Sequence, residues 1–211
     1  MEKIIETNQV TIVGKINSGF EFSHEVFGET FYSVNLLVER LSESHDIIPI
    51  TISERLIDVN KDYSGEYVKI SGQFRSYNKR ISETRAKLIL SVFAREVEFV
   101  EEMPEDYNSN NITLDGYVCK QPIYRKTPLG REITDILLAV NRPYGKSDYI
   151  PCLCWGRDAK FASTFNVGEH VTITGRIQSR DYYKKIDEEQ YEKRTAYEVS
   201  VWTISIVEGD K

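Results

Sequence analysis

Residues 149–168 read YIPCLCWGRDAKFASTFNVG. The opening part is strand-like, and successive side chains on a strand point to opposite faces. Tyr149, Pro151, Leu153 and Trp155 therefore share one face, and Ile150, Cys152 and Cys154 share the other. The second set reads as core, so the first points outward. From Gly156 the pattern changes to a short helix closed by Gly168. Working outward, residues 112–118 alternate apolar and polar side chains and 133–141 are strand-like. Residues 170–177 and 196–207 alternate strongly, with Val, Ile, Thr and Tyr throughout. Five strands with a helix after the third, in about 100 residues, is the layout of a five-stranded Greek-key barrel, the OB-fold. The single helix in that place favours this fold over a β-sandwich or a pair of SH3-like barrels.

The layout occurs twice. An offset of 102 positions matches Asn8 to Asn110, Gly14 to Gly116, Gly28 to Gly130, Arg40 to Arg142, Asp46 to Asp148, Pro49 to Pro151 and Arg55 to Arg157. An offset of 103 then matches Gly65 to Gly168, Gly72 to Gly175 and Ser76 to Ser179. Glycines at matched places mark the same turns or bulges in both halves. The first copy has strand-like runs at 10–16, 31–38, 47–52, 67–74 and 87–99, with a short helical segment at 54–62. The sequence thus predicts an all-β chain of two tandem OB-folds, each with a short helix after strand three. The N-terminal OB-fold covers 1–103 and the C-terminal one 111–211. The linker, 104–110, falls in the acidic, Pro104-bearing stretch EEMPEDYNSNN.

The 211 residues carry a net charge of −6, with 40% hydrophobic and 28% charged residues, which fits an ordinary globular chain. No apolar run nears the roughly 18 residues a membrane-spanning helix needs, and MEKIIETNQV lacks an export signal. A cytoplasmic, nucleoid-associated protein with no membrane partner is expected. Cys119, Cys152 and Cys154 include a CxC pair but no second pair at zinc spacing, so they read as reduced core thiols.

Catalytic patterns are scarce. Tyr144-Gly145-Lys146-Ser147 ends like a phosphate-binding loop, but Val140 stands where that loop needs its first glycine. His24, His45 and His170 are scattered, and no GxSxG or GxGxxG occurs. No catalytic residue, metal or cofactor is expected.

Charge divides unevenly between the copies. Residues 1–107 hold 12 Lys+Arg against 19 Asp+Glu, net −7, and residues 108–211 hold 15 against 14, net +1. The cations of the second half fall where loops and barrel edges should be: Lys120, Arg125, Lys126 and Arg131, then Arg142 and Lys146, then Arg176, Arg180, Lys184 and Lys185. The matching first loop of the first half, SGFEFSHEVFGE, holds no Lys or Arg and carries Glu21, Glu25 and Glu29. Outward Tyr149 and Trp155, followed by Arg157, are the ingredients of a single-strand stacking platform, where rings hold bases and cations track the backbone. Tyr144, Tyr182 and Tyr183 add rings in adjoining loops. By parity alone, the same aromatics also fit a core or a subunit interface.

The stretches NITLDGYVCKQPIYRKTPLGREI, LLAVNRPYGKSDYIPCLCWGRDA, VGEHVTITGRIQSRDYY and TAYEVSV, in that order, cover nearly all of 110–207. Here the chain resembles the bacterial single-stranded DNA-binding protein (SSB) family. The resemblance implies base stacking at Tyr144, Tyr149, Trp155 and Tyr182, and single-stranded DNA as partner. Phosphate contacts would come from Lys120, Arg125, Lys126, Arg131, Arg142, Arg157, Arg176 and Arg180. It also implies four OB-folds per assembly, hence a homodimer of this chain, acting in replication, recombination or repair.

The first half resembles the family more weakly, through DIIPITISER and ISGQFRSYN, and it has Ile47 where the second has Tyr149 and Ser53 where it has Trp155. It reads as a degenerate copy, with Arg75, Tyr77, Lys79 and Arg80 left for weak binding. The family's acidic C-terminal tail has no counterpart before the closing EGDK. Recruitment of replication or repair proteins through such a tail is therefore not expected. The alternative is an adaptor of the primosomal PriB type, whose OB faces mainly dock a replication protein.

Overall fold

The computed structural model describes residues 7–40, 42, 44–80, 82, 86–101, 109–187 and 190–208, with Ala86 and Tyr144 described by their backbone. Most of the expected linker, 104–108, lies outside the described residues, and Asn110 already stands in a strand.

The first half forms β1 (Asn8–Ile16), β2 (Glu21–Val26), β3 (Glu29–Glu39), β4 (His45–Ser53), β5 (Tyr67–Arg80) and β6 (Ala86–Val100). The second forms β7 (Asn110–Val118), β8 (Ile123–Lys126), β9 (Glu132–Asn141), β10 (Ser147–Trp155), α1 (Gly156–Ala162), β11 (His170–Lys185) and β12 (Tyr191–Ile206). β1 pairs with β3 and β5, β3 with β4, and β5 with β6, all antiparallel, and a parallel contact of β4 with β6 closes the ring. β7, β9, β10, β12 and β11 repeat the circuit. These are two five-stranded OB-folds. β2 and β8 are additional strands, folded back on β3 and β9 as hairpins. In the sequence they read as loops, since every one of their residues is exposed and they carry no in-and-out alternation.

Alternation elsewhere builds the cores. Ile12, Leu36, Ile48, Ile50 and Ile70 are sealed in the first barrel, and Leu114, Leu138, Ile150, Ile173 and Val199 in the second. Gly116 is needed because a Cβ there would stand 2.6 Å from the Ala139 carbonyl oxygen, across the barrel closure. Its match Gly14 faces the carbonyl of Leu37 in the same way.

The expected helix after strand three forms only in the second barrel. Ala159 and Ala162, good helix formers, are fully buried there. In the first barrel, residues 54–62 form turns instead. Asp58 accepts the Asn60 N–H (3.2 Å) and Asp62 the Ser64 N–H (2.9 Å), and such local acceptors compete with helical bonding.

The barrels join through β1 and β7, which pair antiparallel with Asn8 opposite Leu114 and Ile12 opposite Asn110. Because Asn8 matches Asn110, this register relates the halves by a local two-fold. Matched residues then make matched ties. The buried Asp148 accepts from the Ser76 N–H and from Arg142 Nε (2.6 Å), with Arg75 at 3.7 Å. The buried Asp46 accepts from the Ser179 N–H (2.6 Å) and Arg40 Nε (2.7 Å), with Arg176 at 3.5 Å. Arg142 also donates to the Ser76 carbonyl and Arg40 to that of Ser179. Asn8 accepts from the Phe74 N–H and donates to the Phe74 carbonyl, and Asn110 does the same at Ile177. Two arginines crowd each carboxylate. Burial, followed by the neighbouring Arg142 or Arg40, pulls the Arg75 and Arg176 guanidinium pKa down.

Candidate nucleic-acid interface

β10 positions the aromatic pair. Its alternation buries Ile150, Cys152 and Cys154 and leaves Tyr149 43% and Trp155 36% exposed, at the two ends of the strand. Leu153, which shares their side, is buried. Its register partners are Asp135 on β9, which binds Arg125, and Ser200 on β12, which accepts from Trp155 Nε1 at 3.2 Å. The tether to Ser200 holds the indole by its edge, and Tyr149 is anchored through its N–H to Ser76 Oγ of the other barrel at 2.7 Å. The bond from the ring nitrogen fixes the indole, so it loses little freedom when a base stacks on it, whereas the Tyr149 bond fixes the backbone that carries its ring. Tyr182, on β11, is 36% exposed and lies beneath the Arg180 guanidinium, 5.9 Å from the ring centre. Tyr144 lies on the 3-10 turn Pro143–Gly145, and its side chain is outside the described ones.

The structure divides the eight predicted phosphate contacts. Arg142 and Arg176 are committed to the junction, bound to Asp148 and Asp46 with about a quarter of each side chain exposed, and are poorly placed for phosphate. Their sequence signal, a cation in a loop beside a strand, did not distinguish a free charge from a tie. Arg125 is bonded to Asp135 (2.7 Å), which raises its pKa, and Lys126 approaches Glu132. Arg180 faces Glu198 at 3.6 Å. Lys120, Arg131 and Arg157 are exposed, with no ion pair among the described residues.

The sequence reading missed a groove of about 590 Å³ that runs between the barrels. Tyr182 and Arg194 line it from the second barrel, and Tyr77, Lys79, Lys87 and Phe22 from the first. Its signal is divided between residues such as Tyr77 and Tyr182, 105 positions apart, so it emerges only from the junction register. Trp202, exposed beside the β12 bulge opposite Gly175, is a further ring that the reading left out.

A model of the single-strand binding protein family matches residues 109–207. Single-stranded DNA-binding protein 1 of Lactococcus lactis is 32% identical over 109 residues, covering 48% of this chain and 70% of that relative. The chain belongs to the single-strand binding protein family. Single-stranded DNA-binding protein A of Bacillus subtilis is 34% identical over 80 residues, covering 35% of this chain and 46% of that protein. The chain thus spans between about half and 70% of the length of these family members. In fold, it superposes on the wild-type single-stranded DNA-binding protein from Thermus aquaticus with a TM-score of 0.74 at 17% identity, covering 97% of this chain and 94% of that one. At that identity the likeness is one of fold, and it extends over both barrels. Tyr149, Trp155 and Tyr182 all lie within the part that matches the family model.

Proposed function

We propose that the protein binds single-stranded DNA without catalysis, in replication, recombination or repair, acting in the cytoplasm as a homodimer of four OB-folds. The observation that carries this reading is the anchored outward pair Tyr149 and Trp155, on the barrel that matches the family. Bases stack on Trp155, Tyr149 and Tyr182, with Tyr144 as a fourth site, while Lys120, Arg131, Arg157 and Arg180 hold phosphates. Arg125 and Lys126 join them by exchanging Asp135 and Glu132 for phosphate. The barrel within 111–211 is the main binding unit. The barrel within 1–103 extends the path through the groove, where Tyr77 and Lys79 meet Tyr182.

Anisotropy of fluorescein-labelled dT oligonucleotides tests this. Trp155→Ala and Tyr149→Ala each weaken binding by about 1–3 kcal/mol, and Tyr77→Ala by about 1 kcal/mol at the groove. Affinity falls as salt rises, because displaced counterions drive part of the binding. Absence of binding at low salt, or binding that the Trp155→Ala/Tyr149→Ala double variant leaves intact, overturns the reading. Tight capture of a replication protein with no oligonucleotide binding selects the adaptor role instead.

A further inference from the structure

β2 and β8 stand at the two ends of the strand order, and each has a single strand neighbour. One edge of each therefore presents unpaired backbone N–H and C=O groups, a template for another strand. Their chemistry is opposite. The β2 hairpin carries Glu21, Glu25 and Glu29 with no Lys or Arg. Glu29 is held by Ser53 and Arg55, whereas Glu21 and Glu25 have no ion pair among the described residues. The β8 hairpin carries Arg125, Lys126 and Arg131 against Glu132 and Asp135; Arg125 pairs with Asp135 and Lys126 with Glu132, while Arg131 is unpaired among the described residues and leaves the hairpin net positive. Each hairpin also ends on an apolar tip. Phe27 is fully exposed in a turn where it and Gly28 take φ of 50° and 76°, and Leu129 is 87% exposed before Gly130 at φ 77°. The fold uses neither tip for packing.

We propose that β2 of one chain docks edge to edge on β8 of a second copy of this chain, so that copies assemble head to tail. Like pairings are opposed, since β2 on β2 sets Glu against Glu and β8 on β8 sets cation against cation. Only the mixed pairing joins opposite charges and brings Phe27 and Leu129 into one contact. The charges that protect each edge from itself therefore select the other. Because the strands belong to different barrels, the contact is heterologous. Each docking leaves a β2 and a β8 free, and the assembly grows as an open array. A contact of four to six residues is weak alone. Copies already side by side on one nucleic-acid strand meet at high effective concentration, which makes it count. The docking itself does not depend on nucleic-acid binding.

Sedimentation velocity of the full chain at low salt, without nucleic acid, reads the contact directly. The expected result is a mass that rises with concentration and falls back as salt is added. Glu21→Lys/Glu25→Lys and Lys126→Glu/Arg131→Glu each abolish the rise, and mixing the two variants restores it. Leu129→Ser, which changes no charge, weakens it several-fold. A wild-type mass that does not grow, growth that the reversals leave intact, or a mixture that behaves like its separate components each overturns the proposal. The Glu21→Lys/Glu25→Lys variant binds a short dT oligonucleotide at least as tightly as wild type, since it gains cations, so loss of docking is distinguished from loss of nucleic-acid binding.

Discussion

The two barrels share a strand circuit, a closure glycine and a set of junction residues, yet they use their outward faces differently. In the second, β10 holds Tyr149 and Trp155 at its ends, open to solvent. In the first, β4 has Ile47 and Ser53 at the same places, and Ser53 donates to Glu29 rather than presenting a ring. The first barrel is not poor in rings. It turns several of them on one another: His24 stacks on Phe31 at 4.9 Å, Phe31 meets Phe93 at 5.4 Å, and Phe22 stands edge-on to Tyr32, while Phe27 and Tyr77, outside β4, stay exposed. Inward and junction positions are tied to the fold, so they match between halves. Outward positions are free of that constraint, so they diverge. One barrel therefore leaves a pair of β10 rings open to solvent, while the other has no ring at those places and forms one wall of the groove.

The largest expected effect tests what the barrels share. Asp46→Ala and Asp148→Ala each strand two partly buried arginines, and loss of one partner from a buried ion pair costs about 3–5 kcal/mol. Urea denaturation should show similar losses for both variants; a large loss for one alone breaks the two-fold description. The next test addresses what the barrels do not share. Ile47→Tyr/Ser53→Trp restores the stacking pair to the first barrel, adding up to about 1–3 kcal/mol per ring and a longer DNA footprint in the oligonucleotide titration. No gain would place the difference in the acidic first loop rather than in the missing rings.

The smallest effect lies in the CxC pair, which the first barrel lacks. Burial pushes the Cys154 thiol from 9.0 up to about 12, and Cys152 well above its ordinary value. The folded state therefore keeps protons that the unfolded state releases. The stability they contribute is present below about pH 9 and is lost as pH climbs towards about 12. Cys154→Ala should flatten that alkaline decline, and iodoacetamide should leave Cys152 and Cys154 unmodified in the native protein.

Much of this comparison was legible in the sequence. Strand parity on β10 picked out Tyr149 and Trp155, because a buried face and an exposed face alternate residue by residue. It failed at Leu153, which is buried although it shares the side of Tyr149 and Trp155, because parity assigns a side and not the burial of that side. β2 and β8 were missed because strands exposed on both faces have no alternation. The helix expected in the first half was displaced by Asp58 and Asp62 bonding their own backbone.

By itself, the sequence determined the two barrels, their core faces and the family stretch in the second half, since each is written in local periodicity and in matched spacings. Tertiary structure decided what the charges do. Arg142 and Arg176 read as free cations until the antiparallel pairing of β1 with β7 brought Ser76 and Ser179 to Asp148 and Asp46. The groove between Tyr77 and Tyr182, and the opposed edges of β2 and β8, arise from the same pairing and sheet order. A charge acquires its role from the partner the fold delivers, and no local pattern names that partner.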